Sequence, residues 1–247
     1  DVRNLKDYHF KKVDSVIHLA ALIGIPYSYK SPLAYINTNI LGTYNILESC
    51  KQNKIKNIIV TSTSEVYGSS RYEPMDENHP TESQSPYAAS KNSADELTKS
   101  YFRSFNLPIK IIRPFNAYGP RQSARAVIPN IIFQLNNKKI KKVKLGNLTP
   151  KRDYTYVEDL CDAYYKIYNL KKFGETYNVG TNEKISIKDL YNLISETIGI
   201  KKEIIIENIR KRKKTSEVMS LRSNFNKLNK ATGWKPKTSF VKGLKKT

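Results

Sequence analysis

Three short apolar runs, separated by stretches of helical periodicity, constrain this chain more than any other feature. Residues 13–21, 55–61 and 109–114 are rich in β-branched side chains and only partly alternating, as strands buried on both faces of a parallel sheet are. Between the first two, Ser31 stands at a cap position and Pro32 in the first turn. Leu33, Ile36, Ile40, Tyr44 and Leu47 then recur at spacings of 3, 4, 4 and 3, which predicts a helix with that apolar stripe. Ser85-Pro86 opens another, with Ala94, Leu97, Tyr101 and Phe105 at 3, 4 and 4. Strand and helix in alternation are the βαβ grammar of a Rossmann-type, doubly wound α/β sheet.

After Gly119-Pro120 the pieces become shorter and more basic: a helix near 127–136, a strand near 141–145 and a helix over about 157–168. Ser186, with Asp189 three residues on, reads as the box opening a further helix that Gly199 ends. The chain is therefore divided into a dinucleotide-binding domain at 1–121 and a smaller α/β substrate domain at 122–247, with about 153–180 returning to the first. No repeat or low-complexity linker intervenes, so the two should share a cleft.

The 43 Lys and Arg residues exceed the 22 Asp and Glu by 21, which raises nucleic-acid binding. The basic residues are spread along the chain, however. Neither local run, at 138–144 or 210–214, carries a repeated base-stacking pattern, so no nucleic-acid partner is expected. A field attracting a small anionic substrate is compatible with the same charge. With 39% hydrophobic residues the chain is too apolar for disorder. No run approaches the roughly 18 apolar residues of a membrane span, and the opening Asp1-Val2-Arg3-Asn4 lacks a signal-peptide core. A cytoplasmic protein without a membrane partner is expected. Cys50 and Cys161 stand singly in helical patterns, as small buried side chains would, and the three histidines are scattered. No metal site follows.

Tyr87-Ala88-Ala89-Ser90-Lys91 puts a phenol and an ammonium one helical turn apart, where the cation can lower the phenol pKa and make it a base. Tyr8/Lys12 and Tyr168/Lys172 share the spacing, but only Tyr87 follows a buried strand and a polar loop. That loop, TSTSEVYG at 61–68, lies at the carboxyl end of the second strand, where open α/β sheets keep their reactive groups. Thr63, Glu65, Tyr87 and Lys91 thus converge as a hydroxyl, a carboxylate, a phenol and an ammonium.

TSTSEVYG, YAASK, RPFNAYGP at 113–120 and RDYTYVEDL at 152–160 together resemble the extended short-chain dehydrogenase/reductases, specifically their NAD-dependent nucleotide-sugar epimerases and dehydratases. HLAAL at 18–22, IPYSY at 25–29 and GPRQSARAVIP at 119–129 most resemble the 4,6-dehydratases of legionaminic acid pathways. The resemblance implies that Tyr87 and Lys91 form the catalytic pair and that Lys91 also holds the nicotinamide ribose. Thr63 would bond the sugar O4 and Glu65 remove the C5 proton. Asp1 and Val2 would flank the adenine of NAD, and Ala20, Ala21 and Asn39 would line the cofactor. Asn116, Val127, Arg152 and Arg212 would hold the UDP- or GDP-linked sugar, the arginines being suited to diphosphate. A homodimer packing the helices near Ser31 and Pro86 is implied, and N-acetylglucosamine is the implied sugar.

The chain departs from the family pattern in three places. Ser64 occupies the position of the aspartate general acid of dTDP-glucose dehydratases, as in GDP-mannose dehydratases and UDP-glucuronate decarboxylases. Lys213 replaces the usual proline after Arg212. No GxxGxxG phosphate loop occurs among the ten glycines. The chain also opens without Met, so an N-terminal βαβ unit is expected to be missing, and its last helix to be cut short. The expected function is NAD-dependent nucleotide-sugar 4,6-dehydration. Its rivals are UDP-glucuronate decarboxylation, epimerisation, and a non-catalytic nucleotide- or RNA-binding fold.

Overall fold

The computed structural model describes residues 1–5 and 10–247; Tyr8 and His9 lie outside the described residues. The chain runs through β1 (Ser15–His18), α1 (Ile25–Lys30), α2 (Pro32–Tyr35), a π-turn (Ile36–Leu41) and α3 (Gly42–Gln52). β2 (Asn57–Thr61), α4 (Pro86–Phe105), β3 (Ile109–Pro114), β4 (Asn116–Tyr118) and α5 (Val127–Asn136) follow. Then come β5 (Lys142–Leu145), β6 (Lys151–Arg152), β7 (Tyr154–Tyr156), α6 (Val157–Asn169), β8 (Thr176–Val179) and β9 (Ile185–Ser186). α7 (Ile187–Ile198), β10 (Glu203–Ile206), α8 (Asn226–Thr232) and α9 (Phe240–Lys246) complete it.

Four strands form one parallel sheet in the order β1-β2-β3-β8, with Val60 beside Ile111 and Ile112 beside Tyr177. Ile58 and Val60 pack with Leu47 and Cys50 of α3 and Tyr101 of α4, whereas Ile59 meets Ala163 and Ile167 of α6 and Trp234. Each of the three β2 residues is fully buried, contributing about 1.5–3 kcal/mol. Helices on both faces are why this strand reads as an unbroken apolar run. The expected α/β Rossmann-type architecture is the one observed.

A second core joins α5 and α7 to β5 through Ile128, Ile131, Val143, Leu145, Leu190 and Ile194. Ser186 Oγ accepts from the Asp189 amide at 3.0 Å and donates to its carboxylate at 2.6 Å. Gly199, at φ 74°, ends α7.

The first helical stretch departs from expectation. Residues 25–30 form α1, and Ser31 makes no side-chain cap; its amide donates to the Tyr27 carbonyl and closes α1. Leu33, Ile36 and Tyr44 of the expected stripe are 64%, 45% and 44% exposed, while Tyr35, Asn39, Thr43 and Ile46 are buried. The polar members of that buried face have internal partners. Tyr35 donates to the Gly24 carbonyl at 2.5 Å, and Thr43 to the Asn39 carbonyl at 2.6 Å. Apolarity therefore places Leu47 correctly in the core and Ile40 at its margin, and misplaces the rest of the stripe. Cys161, expected to be buried, is exposed, because α6 turns Ala163 and Ile167 to the sheet. Among the described residues no helix is long and apolar enough to cross a membrane.

Candidate active site

β2 delivers the chain into a short 3₁₀ turn, Ser64–Tyr67. Thr63 caps that turn, its hydroxyl oxygen accepting from the Glu65 amide at 3.3 Å. Gly68 closes it at φ 67°, where a Cβ would lie 2.0 Å from the Glu82 carbonyl oxygen. Only glycine fits there. Thr63, Ser64 and Glu65 are thereby buried at the carboxyl edge of the sheet. Across from them, Ser85 caps α4 by accepting from the Ala88 amide at 3.1 Å. Tyr87 and Lys91 follow one turn apart and are both buried. The Thr63 hydroxyl is close enough to act on the phenol electrostatically, and Lys91 Nζ donates to the Thr61 carbonyl at 2.6 Å.

The electrostatics differ from the sequence expectation. Burial pushes the Tyr87 phenol well above its ordinary value; the Thr63 hydroxyl works against this, and Glu65, Tyr35 and Asp95 add to it. The Lys91 ammonium is directed at the Thr61 carbonyl. Burial draws Lys91 itself below its ordinary value, with Asp95 opposing. His18, at the end of β1, is driven down to about 4 by burial and then by the Lys91 charge, so it is neutral near pH 7. The Thr43 hydroxyl proton goes to Asn39, leaving its oxygen to accept from His18 Nε2–H at 3.0 Å. Beneath Lys91, Asp95 Oδ2 accepts from Ser62 at 2.8 Å and Arg113 Nε at 3.0 Å.

Two arginines reach this edge from the second half of the chain. Arg212 Nη1 lies 3.5 Å from Glu65 Oε2 and 3.8 Å from Glu217 Oε1. Arg152 Nη2, on β6, lies 3.5 Å from the same Glu217 oxygen. Arg212 is half-buried while Lys211, Lys213 and Lys214 around it are exposed, so one member of a solvated basic run turns inward. Sequence reasoning missed Glu217, for which the only signal is a single acid following that run. It also missed His18, Asp95 and the role of Arg113.

The other expected residues are placed as follows. Asn39 accepts from the Leu22 amide at 2.8 Å and donates to the Leu22 carbonyl and Ser90 Oγ, each at 2.9 Å. It fixes the loop carrying Ala20, which is exposed, and Ala21, half-buried just past β1. Asp1 pairs with Arg3, and Val2 packs on Gly42 of α3; the contacts of both residues are away from the quartet. The Asn116 amide donates to the Asp153 carbonyl at 3.0 Å, and Val127 opens α5 half-buried. Tyr168 bonds Ser15 across 3.2 Å, while Lys172 lies beyond α6 and pairs with Glu175, so that YxxxK match forms no pair. A cavity of about 450 Å³ is lined by Arg152, Tyr154 and Phe240 but by none of the quartet. Among the described residues no group of three or more His, Cys, Asp or Glu side chains could hold a metal ion.

A parallel α/β sheet with a Thr-Ser-Glu turn and a Tyr-Lys helix at its carboxyl edge defines the extended short-chain dehydrogenase/reductase class. The family model described as GDP-mannose 4,6 dehydratase matches residues 3–247, and the chain belongs to that family. It is 41% identical over 192 residues to a dTDP-D-glucose 4,6-dehydratase of Dictyostelium discoideum, covering 73% of this chain and 44% of that protein. A putative UDP-glucose 4-epimerase of Methanocaldococcus jannaschii is 34% identical over 96% of this chain and 77% of its own length. The dTDP-glucose 4,6-dehydratase DesIV of Streptomyces venezuelae, solved with NAD and TYD bound, superposes with a TM-score of 0.93 at 26% identity, over 100% of this chain and 76% of that one. The chain thus spans under half the length of the first of these relatives.

Proposed function

We propose that the complete protein is an NAD-dependent nucleotide-sugar 4,6-dehydratase, converting an NDP-N-acetylglucosamine to its 4-keto-6-deoxy sugar for surface-glycan or nonulosonic acid synthesis. The single observation that carries this reading is the convergence of Thr63, Glu65 and Tyr87 with Arg212 at one edge of the sheet. The donor set at the edge of β1 and β2 fits a nicotinamide ribose: the Tyr87 hydroxyl and the Lys91 ammonium, which donates to the Thr61 carbonyl, are assigned to it. Small Ala20 and Ala21 precede Leu22, which Asn39 pins, and are assigned to line the cofactor. Asp1 and Val2 are assigned to its adenine end. NAD when bound supplies a hydride acceptor for C4, a hydride donor for C6, and a positive charge beside the phenol.

Tyr87, through Thr63, takes the O4 proton as the C4 ketone forms. That ketone acidifies C5, and Glu65 removes the C5 proton as hydroxide leaves C6 with a proton. Ser64 is buried in the same turn but is a weak acid, so Glu65 is the group able to pass that proton on. Arg152 and Arg212, with Asn116 and Val127, hold the nucleotide diphosphate end. The division at 121/122, with about 153–180 returning, belongs to this proposal, as does a cytoplasmic location. Exposed Leu33, Ile36, Leu41 and Tyr44 on the outer face of 32–52 support a homodimer through that stretch.

Mass spectrometry of the complete protein with NAD and a panel of UDP-, dTDP- and GDP-sugars tests the reading. Loss of water from an N-acetylglucosamine nucleotide is expected; turnover of none would overturn it. Ser64, and a guanidinium 3.5 Å from Glu65 that could receive a substrate carboxylate, favour UDP-glucuronate decarboxylation as the second reading. Release of carbon dioxide identifies it.

A further inference from the structure

Glu65, Arg212, Glu217 and Arg152 stand in a row with alternating signs, so the row is neutral as built. Their side chains are only 11%, 22%, 11% and 7% exposed, and solvent screens such a set weakly. Two guanidiniums this close repel. Burial, and after it Arg212, pulls Arg152 below its ordinary value, while Glu65 and Glu217 oppose the pull.

The contacts balance charge without using up the donors. All three separations, 3.5, 3.8 and 3.5 Å, exceed the roughly 2.7–2.9 Å of a charge-assisted hydrogen bond. Arg212 Nη1 is buried and has no hydrogen-bond partner, so it faces an acceptor that this chain does not supply. Glu217 stands on backbone that is held in place. Its neighbour Ser216 donates to the Gln84 carbonyl and bonds the Tyr29 hydroxyl at 2.6 Å, and Val218 on its other side is fully buried.

We propose that Glu217 is a positioning residue, an internal counter-ion that keeps Arg152 and Arg212 side by side at this edge of the sheet and competes with the substrate's diphosphate for them. This rests on the nucleotide-sugar reading above. Neutralising Glu217 leaves the row one positive charge in excess. A nucleoside diphosphate should then bind about tenfold tighter, and slower release should lower kcat and KM together. Without ligand the same variant should melt below the parent, and ligand should raise its melting temperature by more. A residue that merely braced the fold would weaken binding instead.

The experiment is calorimetric titration of the complete, NAD-loaded protein with UDP, dTDP and GDP, carrying the tightest parent ligand forward to Glu217→Gln and to Glu217→Ser as a second neutral variant. Tighter binding by a neutral variant, with Glu217→Asp within about twofold of the parent, is the expected result. Unchanged or weaker binding by a folded neutral variant overturns the counter-ion and leaves the function standing. A parent that binds none of the three overturns the nucleotide-sugar reading itself.

Discussion

Asp95 and Arg113 meet beneath α4 with Nε and Nη2 both 3.0 Å from one carboxylate oxygen, at 0% and 2% side-chain exposure. Arg152 and Arg212, a few side chains away, stand 3.5–3.8 Å from their carboxylates. The first cluster is closed: Ser62 completes the same oxygen at 2.8 Å, and the guanidinium lies 4.9 Å over the Tyr67 ring. Its interactions are spent on holding α4 against β3, which aims Tyr87 and Lys91. Each cluster holds a buried guanidinium nitrogen without a hydrogen bond, Arg113 Nη2 and Arg212 Nη1, but only in the first does the guanidinium also hydrogen-bond its carboxylate, through Nε. Buried charge hydrogen-bonded to its counter-ion serves the fold, and buried charge held just out of reach is available to a ligand.

Four experiments break or sharpen that contrast. The largest effect belongs to the closed cluster: Asp95→Ala strands Arg113 and should cost about 3–5 kcal/mol in urea denaturation. Glu65→Gln, in the open cluster, should lower the rate of water loss about a thousandfold, about 4 kcal/mol of barrier. Its unfolding free energy should move by less than about 1 kcal/mol. A similar loss of stability at both positions would erase the distinction.

The next effect is one of pH. His18, beside Lys91, has a folded pKa of about 4 against an ordinary 6.5. Between those values the unfolded chain takes up a proton that the folded chain refuses. Stability should therefore fall as pH drops from about 6.5 to about 4, by about 3 kcal/mol in total. His18→Gln should flatten that slope in urea titrations run across the window. The smallest effect is Arg212→Lys, which loses the forked donor and keeps the charge. Nucleoside diphosphate affinity should weaken about tenfold by calorimetry with no change in melting temperature.

Much of this was legible in the sequence, for physical reasons that also explain what was not. Residues 57–61 read as a doubly covered strand because their neighbours are helices on both faces, and burial of that kind leaves no polar positions to confuse the pattern. Tyr87 and Lys91 could be placed together because a helical turn fixes their separation. Residues 32–52 failed because their buried face carries Asn39 and Thr43, whose partners at residues 18, 22 and 90 are distant in sequence. The direction of the Tyr87 shift failed for a related reason: spacing locates Lys91 but does not say how deeply the phenol is buried. Arg212 and Glu217 are brought to Glu65 only by tertiary folding, so a basic run with one acid after it gave no sign of them.

The Met75 segment has a consequence for how this site keeps its width. The Met75 amide donates to the Arg222 carbonyl at 2.8 Å and its carbonyl accepts from the Asn224 amide at 2.8 Å, a few residues beyond Glu217. The seam between the two sides of the site is thus sewn in peptide groups, which every residue but proline can contribute. The side chains along the stitching are less free, because Met75 and Ser223 are fully buried and Ser223 Oγ donates to Asp153 at 2.6 Å.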